Sequence, residues 1–263
     1  MIDPAHFLAA YDELRGSVSA LPEGMHAERD GPLVRTTGSS RGGMVEYGDL
    51  GGLEGAELDD LIARQVRIFA ELGERFEWKL HGHDRPADLA DRLRAAGFVP
   101  EAQETVLAAV ASTIAAEPVL PAGVVLREAT EQADFERIAA MLARAFGDPD
   151  ADWLPPLLAQ RRAFDPLSIG IYVAEAGGEP ISAAWVRFHG DAAFATLHGG
   201  ATVPEWRGRG VYRALVATRA RLAAERGCRY LQVDASDDSR PILERLGFVA
   251  LTTTTPFIWS PPG

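Results

Sequence analysis

The 263 residues carry 38 acidic against 26 basic side chains, a net charge of −12, which argues against a general nucleic-acid binder because such proteins draw most of their affinity from neutralising phosphates. No run approaches the roughly 20 apolar residues of a membrane helix, and Met1-Ile2-Asp3-Pro4 has neither the basic segment nor the apolar run of a secretory signal, so a cytoplasmic protein with no membrane role is expected. Cys228 is the only cysteine; it excludes an internal disulfide or a cysteine-based metal cluster and reads as a small buried hydrophobe.

In chain order, the first half shows a helix over 4–14, short strands near 33–37 and 44–47, and a helix over 57–72. A strand at 76–80, an Asp/Arg/Pro turn, a short helix and Gly97-Phe98 follow. The same succession returns at 230–233, 242–246 and Gly247-Phe248, a topological echo of the first. Residues 111–123 are poor in charge and hold two prolines, so they read as linker. The domains are drawn at 1–112 and 124–263, joined by 113–123.

Past the linker, a strand at 124–127 leads to Thr130, which can cap a helix with apolar residues at Phe135, Ile138, Met141, Leu142 and Phe146. A helical piece over 154–164 follows, then a hairpin of 169–175 and 181–188 about Ala-Gly-Gly-Glu-Pro. A strand over 192–202, a helix over 211–226, a strand at 230–233, a helix near 241–246 and a strand pair ending at Trp259 complete the chain. The order βααβββαβαβ is an α/β arrangement in which antiparallel hairpins precede a strand-helix-strand crossover.

The informative stretch is Gly199-Gly200-Ala201-Thr202-Val203-Pro204-Glu205-Trp206-Arg207-Gly208-Arg209-Gly210-Val211-Tyr212-Arg213. An extended segment ends at Pro204, a glycine-bearing loop turns, and a helix begins near Val211. The first turn of a helix has unpaired N–H groups and the positive end of the macrodipole, and Gly208 and Gly210 clear side chains from its approach. Arginines at 207, 209 and 213 add charge-assisted bonds from the flanks. Seven arginines against one glutamate between Arg207 and Arg229 give this window six excess positive charges inside an acidic chain. Two readings stand: an anion site fitting a pyrophosphate, or a tight strand-to-helix connection followed by a solvated basic face.

Strand-Pro-x-aromatic-Arg-Gly-x-Gly-helix, followed about twenty residues later by a strand and Leu246-Gly247-Phe248, resembles the acetyl-CoA core of the GNAT acyltransferases over 124–259. The resemblance implies a mixed, mostly antiparallel sheet flanked by helices, in tandem with a degenerate N-terminal copy. It implies an enzyme transferring the acetyl group of acetyl-CoA to an amine acceptor; a homodimer is compatible with the sequence. Gly200, Ala201 and Thr202 would pair with the pantetheine arm in a splay between strands. Gly208, Arg209, Gly210, Val211, Tyr212 and Arg213 would hold the pyrophosphate. Three positions depart from the pattern: Tyr212 replaces a small residue, Leu243 stands where the family often has an acid tyrosine, and Ser236-Asp237-Asp238-Ser239 replaces an asparagine-bearing loop.

Direct transfer requires a base for an ammonium of pKa about 10. His198 is offered as that base because it shares strand parity with Thr202; a structural histidine is the alternative. Ser236, Ser239 and Tyr212 are candidates for the acid, although a thiol of pKa about 8.5 can leave unaided. His81 and His83 show no metal spacing and read as surface residues. Residues 145–165, expected to line the acceptor, hold no recognisable code. The missing tyrosine motivates a second reading, a catalytically silent acyl-CoA-binding module.

Overall fold

The computed structural model describes residues 4–17, 21–147, 152–190 and 193–262. The first part of the chain forms α1 (Pro4–Arg15), β1 (His26–Asp30), β2 (Leu33–Thr37), β3 (Gly43–Glu46), α2 (Gly55–Leu72), β4 (Phe76–His81), α3 (Leu89–Ala95), β5 (Val99–Pro100) and β6 (Glu104–Val110). After α4 (Ala111–Ile114) come β7 (Val124–Glu128), α5 (Gln132–Phe146), α6 (Leu154–Phe164), β8 (Ile169–Ala176), β9 (Glu179–Phe188) and β10 (Phe194–Thr202). A 3-10 turn (Pro204–Trp206), α7 (Val211–Glu225), β11 (Tyr230–Ala235), α8 (Arg240–Arg245) and β12 (Val249–Trp259) end it. From β7 onward this is the order read from the sequence. The expected start of β10 at Ala192 lies outside the described residues, as do 148–151 of the expected acceptor region.

Two compact units result, and they do not follow chain order. One comprises 1–106, 235–241 and 250–263, the other 107–234 and 242–249. β6 is buried along nearly its whole length, and its residues from Leu107 onward belong to the second unit. The first unit takes β12 from residue 250 onward.

In the first unit the strands run β1-β2-β3-β4-β12, with β5 also on β12. The β3–β4 pair is parallel; β1–β2, β2–β3 and β4–β12 are antiparallel. Helix α2 buries Leu58, Leu61, Ile62, Gln65 and Phe69, one stripe at helical spacing, and stops at Gly73 in the left-handed region. Phe69 stacks on Phe76 with centroids 4.0 Å apart, and Phe76 meets Phe98 and Trp259 edge-on or tilted.

The second unit orders its strands β6-β11-β10-β9-β8-β7. Its β7–β8, β8–β9 and β9–β10 pairs are antiparallel and β10–β11 is parallel. Helix α5 contributes Phe135, Ile138, Met141 and Leu142 to a core shared with Ile171, Val173, Ala183, Trp185 and Val211. The two Gly-Phe segments are the same device: Phe98 and Phe248 each donate to a leucine carbonyl five residues back, Leu93 or Leu243, at 3.1 Å, and both leucines are fully buried.

Four expectations need correcting. Helix α5 starts after Glu131, not Thr130, because Glu131 and Asp134 form a reciprocal capping box. Residues 111–114 of the expected linker are helical. The final strand pair is one 11-residue strand, β12, held by antiparallel pairing with β4 from Thr254 to Trp259. His81 is not a surface residue, whereas His83 is partly exposed. His81 is 3 % exposed, bonded to Tyr11 (3.2 Å) and to Arg15, while Arg15 also reaches Asp84 at 3.0 Å. His83 bridges Asp12 and Thr252, each at 3.0 Å.

Burial, with the Arg15 charge next in size, drives the His81 pKa far below its ordinary value. The folded protein therefore holds His81 neutral where the unfolded chain takes a proton. Stability from this group is complete above pH about 6.5 and falls by up to about 1.4 kcal/mol per pH unit below it. Burial also pulls His189, bonded to Thr196, down to about 3, so it adds a slope of the same sign. Replacing His81 by Asn is expected to remove about one proton from the acid slope of the unfolding free energy; an unchanged slope in urea melts between pH 4 and 7 would refute this assignment.

Candidate functional site

The site begins where a ladder ends. β10 and β11 pair in parallel at Phe194↔Tyr230, Ala195↔Leu231 and Thr196↔Gln232, and there the pairing stops. β10 runs on to Thr202 and β11 to Ala235, so beyond Thr196 one edge of β10 faces an opening. Backbone amides and carbonyls along such an edge suit an extended ligand that adds itself as a strand.

On its other edge β10 pairs with β9, through a bulge. His198 faces Trp185 and Ala201 faces Ala183, so three steps along β10 match two along β9. The extra residue reverses side-chain parity. His198 shares the face of Trp185, on which it stacks at 6.4 Å and 17°, whereas Thr202 shares the face of Ser182, with hydroxyls 2.8 Å apart. The shared parity of His198 and Thr202 expected from the sequence is thus overturned. Gly199 has φ +63° and a Cβ there would overlap the Trp185 ring, which makes glycine obligatory at the apex.

Three groups tie the bulge down. Ser182 Oγ donates to the Ala201 carbonyl at 2.6 Å. Arg207 donates to Thr202 O (3.1 Å) and Ala145 O (2.8 Å), which fixes the strand exit to the end of α5. Arg219, 1 % exposed, donates Nε to Leu215 O at 3.0 Å and Nη1 to both Trp185 O and His198 O at 3.2 Å. Burial pulls its guanidinium down to about 10, which leaves it cationic near neutrality. Sequence reasoning placed Arg219 only in a basic window; its spacing of seven from Tyr212, two helical turns, was the available signal for a shared face.

Helix α7 opens at Gly210, whose φ of +88° puts the cap in the left-handed region. Its first intrahelical bond is Ala214 N–H to Gly210 O, so the amides of Val211, Tyr212 and Arg213 have no acceptor within the helix. Arg209 and Arg213 are exposed, and the Arg209 guanidinium lies 4.8 Å from the centre of the Trp206 ring. Gly208, Arg209, Gly210, Val211, Tyr212 and Arg213 are therefore together at one helix end. The Tyr212 ring packs on the bulge: a Cβ on Gly200 would stand 2.7 Å from its Cε2. Burial raises the Tyr212 pKa.

Of the acid candidates, Tyr212 packs on the bulge. Leu243 is fully buried. Ser236 and Ser239 bond each other at 3.3 Å and fall in the first unit, while the bulge and α7 fall in the second. At the open end of β11, Asp234 accepts from Gln232 at 2.6 Å; an alternation of polar residues in that strand was the missed signal.

A model of the acetyltransferase (GNAT) family matches residues 135–248, from α5 to the second Gly-Phe. The chain is also similar to a GCN5-related N-acetyltransferase from Kribbella flavida, at 20% identity and TM-score 0.70 over 100% of this chain and 97% of that one. A GCN5-related N-acetyltransferase from Sphaerobacter thermophilus follows at 16% identity and TM-score 0.60, over 90% and 83%. A tandem GNAT protein from the clavulanic acid biosynthesis pathway, solved without acetyl-CoA, matches at 13% identity and TM-score 0.61, over 98% and 96%. These likenesses extend the shared fold to the whole chain, two copies included.

The bulge makes its own prediction. Gly199→Ala meets both the positive φ and the Trp185 ring and is expected to cost at least about 1–3 kcal/mol. Gly177→Ala, at φ +60° in open space, meets only the first. Equal losses in thermal midpoint for the two variants would show that Gly199 is not packed as described.

Proposed function

We propose, from the match of residues 135–248 to a model of the acetyltransferase (GNAT) family, that the protein transfers an acetyl group from acetyl-CoA to an amine by direct attack in a ternary complex. The observation that carries the reading is the parting of β10 from β11 after Thr196, immediately upstream of a helix start flanked by exposed arginines. The pantetheine arm would pair along Gly200, Ala201 and Thr202, sharing Gly200 with the Tyr212 ring. The diphosphate would take the amides of 208–213, with Arg209 and Arg213 neutralising its charge.

In the step itself a neutral amine nitrogen attacks the thioester carbon. The N–C bond forms, the C–S bond breaks, and the amine proton passes to a base. His198, on the open stretch of β10, is our candidate for that base. A backbone N–H near Thr202 would polarise the carbonyl. The thiolate, whose conjugate acid has a pKa near that of free cysteine, about 8.5, leaves without a dedicated acid. The net charge of −12 supports an acceptor that is not nucleic acid. No helix among the described residues is long and apolar enough to cross a membrane; a cytoplasmic place of action completes the proposal.

One observation favours a second reading, a silent acyl-CoA-binding module: Leu243, at the position expected for an acid tyrosine, is fully buried. Thiol release across a panel of alkylamines and lysine peptides separates the two, since binding without turnover on any acceptor supports the module. Calorimetric titration with coenzyme A is expected to saturate at one site per chain, and Arg209→Glu to weaken it at least about tenfold, the effect of losing roughly one charge-assisted contact. Unchanged affinity in that variant would displace the diphosphate from this loop.

A further inference from the structure

Arg219 is a buried charge at the site that the reading above does not use. Its guanidinium is 1 % exposed, and among the described residues no carboxylate forms an ion pair with it; its bonds run to the neutral carbonyls of Leu215, Trp185 and His198. A buried cation without an anion costs several kcal/mol relative to an apolar residue of similar volume, so its retention calls for a local requirement. The bulge supplies one. An extra residue breaks the local β-ladder, and carbonyls at the break need donors other than the neighbouring strand. One Nη1 serves the two carbonyls of the directly opposed pair Trp185 and His198. The residue following His198 is Gly199, seated on the Trp185 ring, and the next is Gly200, under Tyr212.

We propose that Arg219 is the positioning residue for the acyl donor's pantetheine arm: by pinning the His198 and Trp185 carbonyls it fixes the 198–201 bulge in the form whose backbone edge from Gly200 to Thr202 pairs with the arm. The inference rests on the proposed acyl-CoA site and assigns the work of holding it to a residue outside the phosphate loop. A single guanidinium, with planar forked donors, can span Leu215 on α7 and both strands at once; the point charge of a lysine cannot. Pinning, rather than charge alone, is therefore the property at stake.

The test separates the arm from the nucleotide. Calorimetry with coenzyme A and with 3′-phospho-ADP, its nucleotide half, gives for the unaltered protein a ratio of affinities that reports what the arm contributes. A ratio near one, or no binding of either compound, overturns the inference, and the second result alone also removes the proposed function. Given a ratio well above one, Arg219→Met is expected to reduce it at least tenfold while 3′-phospho-ADP affinity stays within about twofold. Arg219→Lys, which keeps the charge, is expected to remain at least fivefold reduced. An unchanged ratio in the Met variant, a parallel loss of 3′-phospho-ADP binding in a folded variant, or full recovery with Lys would each overturn the proposal. If the Met variant does not fold, the Lys variant decides on the same two measurements.

Discussion

The functional reading depends on a strand that pairs with one neighbour through a bulge and leaves the other after three residues. β10 meets β11 only from Phe194 to Thr196, and past that point its backbone groups have an edge without a partner strand. An unpaired edge is a liability unless something is meant to use it. Here the edge is short, bent by the bulge, and stiffened by Ser182 and the Trp185 ring of β9 and by Arg219 of α7. The opening is thus preorganised, which lowers the ordering cost of any extended ligand that pairs there.

The basic window resolves into two populations. Arg207 ties Thr202 to the end of α5, and Arg219 pins the bulge. Arg221 pairs with Glu117 and Glu225, Arg226 lies 4.1 Å over the Phe188 ring, and Arg229 lies 4.9 Å over Tyr230. Arg209 and Arg213 are exposed at the head of α7. A count of charges therefore overstates the positive charge at the head of α7. The two loop arginines add to a helix N-terminus whose own partial charge is set by backbone geometry.

The first unit shows what degeneracy means physically. Its β3–α2–β4 segment has the parallel strand pair and intervening helix of β10–α7–β11, but the connection over 47–54 contains Asp49 and Glu54 and no arginine. That connection carries two acids where residues 207–213 carry three arginines. In its place the unit carries a buried polar cluster of Tyr11, Arg15, Tyr47, His81 and Asp84, in which burial and the Asp84 charge hold the Tyr47 pKa well above its ordinary value.

Much of this was legible in the sequence, because it depends on local patterns. The apolar spacing of α5, the turn glycines of the β8–β9 hairpin, the Pro-x-Trp-Arg-Gly-x-Gly connection and the paired Gly-Phe segments each state their conformation within a few residues. Only the tertiary structure decided the rest, for reasons of range. β6 is an apolar run whose meaning depends on which strands flank it, and β12 joins a unit built from the other end of the chain. The bulge reversed the parity of His198 because register is a property of two strands, not of one. Arg219 looked like any solvated arginine because a carbonyl partner leaves no mark in the sequence; its partners at 185 and 198 come from strands that only folding brings to the helix.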